Sequence, residues 1–176
     1  MYPLIRFAAE TARARRLPRL GLGEAHLSRH RCLPSDLDPW RELNNGRTLT
    51  LYDLGRIALM VRSGVDRALR EAGWGIAVAG ASIRYRRRVR AFDRIEMRSR
   101  LAGRCARFFY FEQTMWRGEE AASSVLIRSA VTGAEGIVPT DKVMAALGEP
   151  AWRPALPDWI AAWIEAEAAR PWPPSR

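Results

Sequence analysis

Between Arg47 and Ser63 the apolar residues Leu49, Leu51, Leu54, Ile57, Ala58, Leu59, Met60 and Val61 surround the helix axis instead of forming one stripe. A helix that is apolar on all sides must be enclosed by the rest of its chain. Asn44 and Asn45 stand where a helix cap belongs, because their side chains accept from the orphan amides of a first turn. Gly64 stops the helix. The remaining chain therefore has to supply a wrapping, and its pattern says what kind.

A short strand is expected from His26 to Leu33, ahead of the polar loop Pro34 to Glu42. After a turn or helical hairpin over Val65 to Gly75, the apolar period changes to two. In Ala81 to Val89, Ile83, Tyr85 and Val89 share one face, and Arg84, Arg86 and Arg88 the other. Ile95, Met97 and Leu101 alternate with Glu96, Arg98 and Arg100. Phe109, Phe111 and Met115 alternate with Phe108, Tyr110 and Trp116, and Ala121 to Val131 offers Val125, Ile127 and Val131. Turn signals fall at Ala91-Phe92-Asp93, around Gly103 and at Arg117-Gly118. One strand, an enclosed helix and four antiparallel strands make an α+β chain with a sheet wrapped around a central helix. This is the element order of the hotdog fold, and its open strand edges imply at least a dimer.

Helices flank this unit, which spans residues 25–138. The N-terminal segment, residues 1–24, is amphipathic and ends in Arg13, Arg15 and Arg16 before Pro18, Gly21 and Gly23. It reads as a short helix docked on the domain or a frayed terminus, and the lesser alternative is a peripheral, surface-seeking membrane helix. It has neither the apolar run nor the cleavage site of a secretory signal. The C-terminal extension, residues 139–176, holds one helix from Pro139 to Leu147 and another opened by Pro157-Asp158. In the latter, Trp159, Trp163 and Ala166 stand at helical spacing, a stripe that reads as packing, within the chain or between subunits, rather than as a base-stacking platform. Pro171 to Arg176 is expected to be disordered.

The 176 residues suffice for one core without a staple. Cys32 and Cys105 are far apart, and with only His26 and His30 there is no metal-ligand spacing. A reduced, metal-free, cytoplasmic protein without a cofactor is expected; buried thiols are preferred over a Cys32 to Cys105 bridge. The net charge of +10 and the pI near 11.0 attract polyanions. The arginines are scattered, however, and no aromatic residues interleave with a single basic stripe, which argues against nucleic acid and suits a phosphate-bearing ligand equally well.

The loop before the enclosed helix reads Asp36-Leu37-Asp38-Pro39-Trp40-Arg41-Glu42-Leu43-Asn44-Asn45-Gly46-Arg47. It resembles the hydroxybenzoyl-CoA thioesterase signature, written loosely DxDxxGHxNNxxY, with Asp36, Asp38, Asn44 and Asn45 on matching positions. Asp53-Leu54-Gly55-Arg56 and Ala79 to Tyr85 are similar to a bacterial branch related to animal thioesterase-superfamily proteins. The resemblance implies an acyl-CoA thioesterase of lipid metabolism. Such an enzyme acts on an acyl-CoA or acyl-carrier-protein thioester, as a homodimer or homotetramer. It also implies that Asp38 is the catalytic carboxylate, as general base or as nucleophile.

The physical reading agrees, because a carboxylate before a helix start faces a carbonyl polarised by that helix end. Backbone amides from Asn45 through Gly46 to Arg47 are the candidate oxyanion donors. The acyl chain is expected in a tunnel lined by Leu49, Tyr52, Phe109 and Phe111. Arg84, Arg86, Arg87 and Arg88 form a solvated face or hold the phosphates of coenzyme A. Asp36 reads as a turn or capping residue, and Asp53 with Arg56 as an ion pair. The family's Gly-His pair is replaced by Arg41-Glu42, so the histidine's role is lost or reassigned. Glu42 is then a solvated loop residue, a polar anchor or a second carboxylate. The rival readings are a hotdog protein that binds acyl-CoA without hydrolysing it, and a basic nucleic-acid binder.

Overall fold

The computed structural model describes residues 2–173. Its centre is α2 (Asn45–Ser63), which begins at Asn44, whose side-chain oxygen accepts from the amides of Gly46 and Arg47. It ends at Gly64, in the left-handed conformation with φ of 80°. Leu51, Tyr52, Leu54 and Leu59 of this helix are all buried, as an all-round apolar helix requires.

The wrapping is one antiparallel sheet of β1 (His26–Arg31), β2 (Gly75–Tyr85), β3 (Arg94–Arg104), β4 (Phe109–Arg117), β5 (Glu120–Gly133) and β6 (Gly136–Val138). Its order is β1-β3-β4-β5-β2, with β6 paired to β5. The helix α3 (Val65–Glu71) follows α2 directly. This is the hotdog arrangement, with one strand, β6, more than the sequence pattern suggests. Three residues are too short a run to show a period.

Besides its apolar packing, two features bring α2 close to the sheet. A methyl group at Gly55 would lie 2.6 Å from the Met97 sulfur and 2.8 Å from the Ser99 hydroxyl, so only glycine allows this close approach. Beside it the amide of Gln113 donates to the carbonyl of Tyr52 and the hydroxyl of Ser99, and its oxygen accepts from Arg56. Arg56 in turn pairs with Asp53. Every member of this buried group has a partner, which is the condition under which polar groups are tolerated in a core.

Additional helices cover what the sheet leaves open. α1 (Leu4–Arg16) lies against α2, and Arg6 ties its first turn to Asp36 and to the carbonyl of Arg31. α4 (Thr140–Ala146) follows β6, and α5 (Asp158–Ala169) lies on the outer face of the sheet. There Ile160 is fully buried with Ala102, Tyr110 and Leu126.

Some expectations are corrected. The strand expected over Ala81 to Val89 begins earlier and ends at Tyr85, so Arg86 and Arg88 do not continue its outer face. The amides of Arg86 and Arg87 both donate to the single carbonyl of Ala122, which takes the chain out of the ladder. Val89 is instead buried in the loop after β2, where its own carbonyl accepts from the Leu43 amide. Gly103 is no turn: it stands in β3 beside a register shift, where a Cβ would meet Leu156 at 2.5 Å. The turn comes later, where the amide of Cys105 donates to Phe108. In α5, Ile160 is fully buried and Trp163 packs against the same cluster, whereas Trp159 and Ala166 are exposed, so of the expected stripe only Trp163 packs within the chain.

Cys32 and Cys105 are free thiols. Residues 174–176, in the tail expected to be disordered, lie outside the described residues. Among the described residues no helix is long and apolar enough to cross a membrane.

Candidate active site

After β1 the chain makes a short 3-10 turn, Pro34–Asp36, and closes residues 38–42 into a loop through the bridge between Leu37 and Leu43. The amide of Asp38 donates to the Glu42 carbonyl at 2.8 Å, and that of Arg41 to the Asp38 carbonyl at 3.0 Å. The Asp38 side chain completes the loop, since Oδ1 accepts from the amides of Trp40 at 2.9 Å and Glu42 at 3.3 Å. Short acidic side chains favour such turns because they bond the backbone a few residues on. Arg41 sits in the left-handed region, with φ of 61°. This is the position at which the resembling signature carries glycine, the residue that adopts that conformation without steric cost.

Two carboxylates two residues apart meet different fates. Asp36 is buried; its Oδ2 accepts from the Leu33 amide at 3.0 Å and from Arg6 at 2.7 Å, and its Oδ1 lies 3.9 Å from Arg47. It is a structural residue, as expected for a turn. Asp38 is half-exposed, and its Oδ2 has no protein partner among the described residues.

Asp38 lines a groove of about 480 Å³ beside the amino end of α2. Trp40, Glu42, Asn45 and Thr48 form its near wall, while Leu43, Val89, Met115 and Ser123 give it an apolar floor with one hydroxyl. Tyr85 and Arg86 to Arg88 make the far rim. Arg88 lies 3.3 Å from Glu42 and Arg87 lies 3.3 Å from Glu120. Arg86 has no carboxylate partner among the described residues. Glu42, the residue in place of the signature's histidine, is thus held by an arginine on the opposite rim.

The structure brings Asp38, Glu42, Asn45, Arg86 and Arg88 to one groove and leaves other candidates elsewhere. Asn44 acts as cap, and by taking the Gly46 and Arg47 amides it removes both from the oxyanion role. The first-turn donor that remains is the N–H of Asn45. Arg47 turns toward Asp36. Arg84 lines a separate cavity of about 520 Å³ on the outer face, with Trp159 and Trp163.

Tyr52 is fully buried, and its hydroxyl meets that of Ser123 at 2.8 Å behind the groove floor. Burial pushes the Tyr52 hydroxyl well above its ordinary pKa, so it stays protonated. Phe109 and Phe111 are core residues, and Leu49 packs against the same core. The tunnel expected along these four residues is therefore filled by their own packing.

Thr48, Met115 and Ser123 enter the site unannounced by the sequence. Thr48 had a weak signal, standing one turn after the cap, where its hydroxyl donates to the Asn44 carbonyl. Ser123 had none, because its place is set by pairing across the sheet. Among the described residues no group of histidine, cysteine, aspartate and glutamate is arranged to hold a metal ion.

A family model described as the thioesterase-like superfamily matches residues 32–164. Protein THEM6 of Xenopus laevis is 33% identical over 135 residues, which are 76% of this chain. The chain spans 64% of that relative's length. Among solved structures, YbaW, a probable thioesterase from Escherichia coli, aligns with a TM-score of 0.65 at 16% identity, over 70% of this chain and 96% of that one. Slr0204, a 1,4-dihydroxy-2-naphthoyl-CoA thioesterase from Synechocystis, aligns with a TM-score of 0.59 at 11% identity, over 70% of this chain and 95% of that one. At such identities the shared property is the fold.

Proposed function

Since the chain belongs to the thioesterase-like superfamily, we propose that its groove binds an acyl thioester, of coenzyme A or of an acyl carrier protein, and hydrolyses it to acid and thiol. The observation that carries this reading is Asp38: one carboxylate oxygen is held by two loop amides and the other is left free in a groove at a helix amino end.

In the general-base route Asp38 takes a proton from water as the water oxygen adds to the thioester carbonyl. The carbon–sulfur bond then breaks and the proton goes to the leaving thiolate. In the nucleophilic route Asp38 itself adds, expels the thiolate and forms an anhydride that water opens. Negative charge on the carbonyl oxygen is offset by the N–H of Asn45 and the positive end of α2. Arg86 suits the phosphates of the carrier.

Free-thiol release from acyl-CoAs of graded chain length tests the reading. Activity on at least one acyl-CoA, lost in Asp38→Asn, is the expected result. Retained activity in that variant removes Asp38 from the chemistry, while undiminished binding without any hydrolysis by the wild type favours an acyl-CoA-binding protein. In single-turnover reaction in heavy-oxygen water, label in Asp38 identifies the nucleophilic route with water adding at the aspartyl carbonyl of the anhydride; label confined to the released acid fits general-base attack and water adding at the acyl carbonyl alike.

The outer edge of β2 supports assembly. It has no strand partner among the described residues, carries no charge before Arg84 and exposes Val78, and an edge of this kind is a template for a second copy. Light scattering on the purified chain is expected to give a dimer or tetramer.

A further inference from the structure

One corner of the molecule, away from β2, combines apolar side chains in solvent with arginines that lack acids. The Arg6 bonds set the first turn of α1 beside residues 31–36. The amide of Phe92 donates to the Cys32 carbonyl at 2.7 Å, and that of Cys32 to Asp93 at 3.1 Å, so the turn between β2 and β3 reaches the same corner. Here Ile5 is 87% exposed, Leu4 67%, Phe92 60% and Leu33 37%.

Packing does not explain these residues. Phe92 occupies the left-handed region with φ of 68°, a conformation in which a bulky residue is strained and for which glycine or asparagine is the ordinary choice. The strain holds an aromatic ring outward at the tip of a turn. Beside it Arg31 and Arg94 stand directly opposite each other in the β1–β3 register. Like charges so placed destabilise a strand pair. Neither has a carboxylate partner among the described residues, nor does Arg90 in the same turn. Asp36 and Asp93, the nearby acids, are engaged by Arg6 and by Arg117.

We propose that this corner docks on an anionic lipid surface, with Leu4, Ile5, Leu33 and Phe92 entering the headgroup boundary and Arg31 and Arg94 facing lipid phosphates. Exposed apolar side chains are stabilised by leaving water and the arginine pair by meeting negative charge, and an anionic bilayer interface supplies both at once. Nucleic acid would satisfy the arginines but not the aliphatic side chains. The inference does not rest on the hydrolytic reading of the groove, since none of these residues lines it.

The test is co-sedimentation of the full chain with phosphatidylcholine vesicles, with and without phosphatidylglycerol. The wild type should partition onto the anionic vesicles. Leu33→Ser with Phe92→Ser, which alters no charge, should lower the partition coefficient about tenfold or more. Arg31→Gln with Arg94→Gln should remove most of the preference for anionic over neutral vesicles. In both, hydrolysis of a soluble short-chain acyl-CoA should be unchanged and the melting temperature should not fall; removing the like-charge pair should raise it slightly in the glutamine variant.

The proposal is overturned if the wild type does not bind. It is equally overturned if the serine pair binds as tightly as the wild type, for then the net charge of +10 alone is responsible. A serine pair that changes only the oligomeric state marks the corner as a contact between copies, and an arginine pair that changes only DNA retention marks it as a nucleic-acid contact; each of these also overturns it. Vesicle binding that follows this pattern in a chain with no hydrolytic activity leaves the inference standing and removes only the catalytic reading.

Discussion

At the middle of α2 a single methyl group on Gly55 would collide with Met97 and Ser99, and the polar groups of Arg56, Gln113 and Tyr52 are all engaged. At its amino end the same helix borders a groove of about 480 Å³, where Asp38 keeps one oxygen without a partner. The closed middle anchors the helix, and the anchored helix presents its first turn to an open space. The stability of this fold and its chemistry should therefore be separable by substitution.

The largest expected effect is on chemistry alone. Asp38→Asn keeps an oxygen that accepts from Trp40 and Glu42, so the loop should hold its shape. Thiol release should fall roughly 10²–10⁴-fold, with the melting temperature nearly unchanged. A large drop in melting temperature would mean that the charge of Asp38 holds the fold, and the contrast between the two ends of α2 would break.

A second closed region lies under α1. His26 and His30 are buried on the inner face of β1; His26 Nδ1 lies 3.1 Å from Arg62, and His30 Nε2 lies 2.9 Å from the Ser28 hydroxyl. Burial, assisted by Arg62 for His26 and by Arg6, His26 and Arg13 for His30, lowers each to about 4 from the ordinary 6.5. Between those values the unfolded chain takes up protons that the folded chain refuses. Stability contributed by the neutral histidines is complete above about 6.5 and is lost as the pH falls toward about 4, on the order of a few kcal/mol for the pair. Urea titrations across that window should show the decline, and His26→Gln with His30→Gln should flatten it. An unchanged slope in that double variant would place the acid sensitivity elsewhere.

Gly55→Val should do the reverse of Asp38→Asn. Overpacking of this kind costs about 1–3 kcal/mol, read as a lower urea midpoint, while the groove keeps its residues and surviving folded protein its turnover. Loss of activity without loss of stability would show that the middle of α2 sets the groove directly.

The difference between the two ends also explains what the sequence makes legible. The enclosed helix, its Asn44 cap, its Gly64 stop and the alternation of the strands are local patterns and appear in the structure, although the strand expected over Ala81 to Val89 spans Gly75–Tyr85 and the turn expected at Gly103 comes later. Loop spacing and a family resemblance mark Asp38 and Asn45, and the structure brings both to the groove. The groove floor could not be found so, because Ser123 reaches Tyr52 across 71 residues and Met115 arrives by strand pairing. Arg86 to Arg88 were misplaced because alternation cannot show that two amides share the Ala122 carbonyl and turn the chain away. The filled tunnel has the same origin: Leu49, Tyr52, Phe109 and Phe111 have the right polarity for a channel, and polarity alone does not distinguish lining from packing.

The smallest expected effect sharpens the open end. Arg41 is exposed, lies in the left-handed region and makes no side-chain bond among the described residues. Removing the steric cost of that conformation is worth about 1–2 kcal/mol, and the greater freedom of glycine in the unfolded chain takes back about 0.5–1 kcal/mol. Arg41→Gly should therefore raise stability by about 0.5 kcal/mol, a shift in melting temperature of about 1–2 °C for a chain of this length. Because the bonds from Trp40 and Glu42 to Asp38 do not involve the Arg41 side chain, turnover should be kept. A lower melting temperature would mean that the arginine does more for this loop than its exposure suggests, and that the amino end of α2 depends on its surroundings as closely as the middle does.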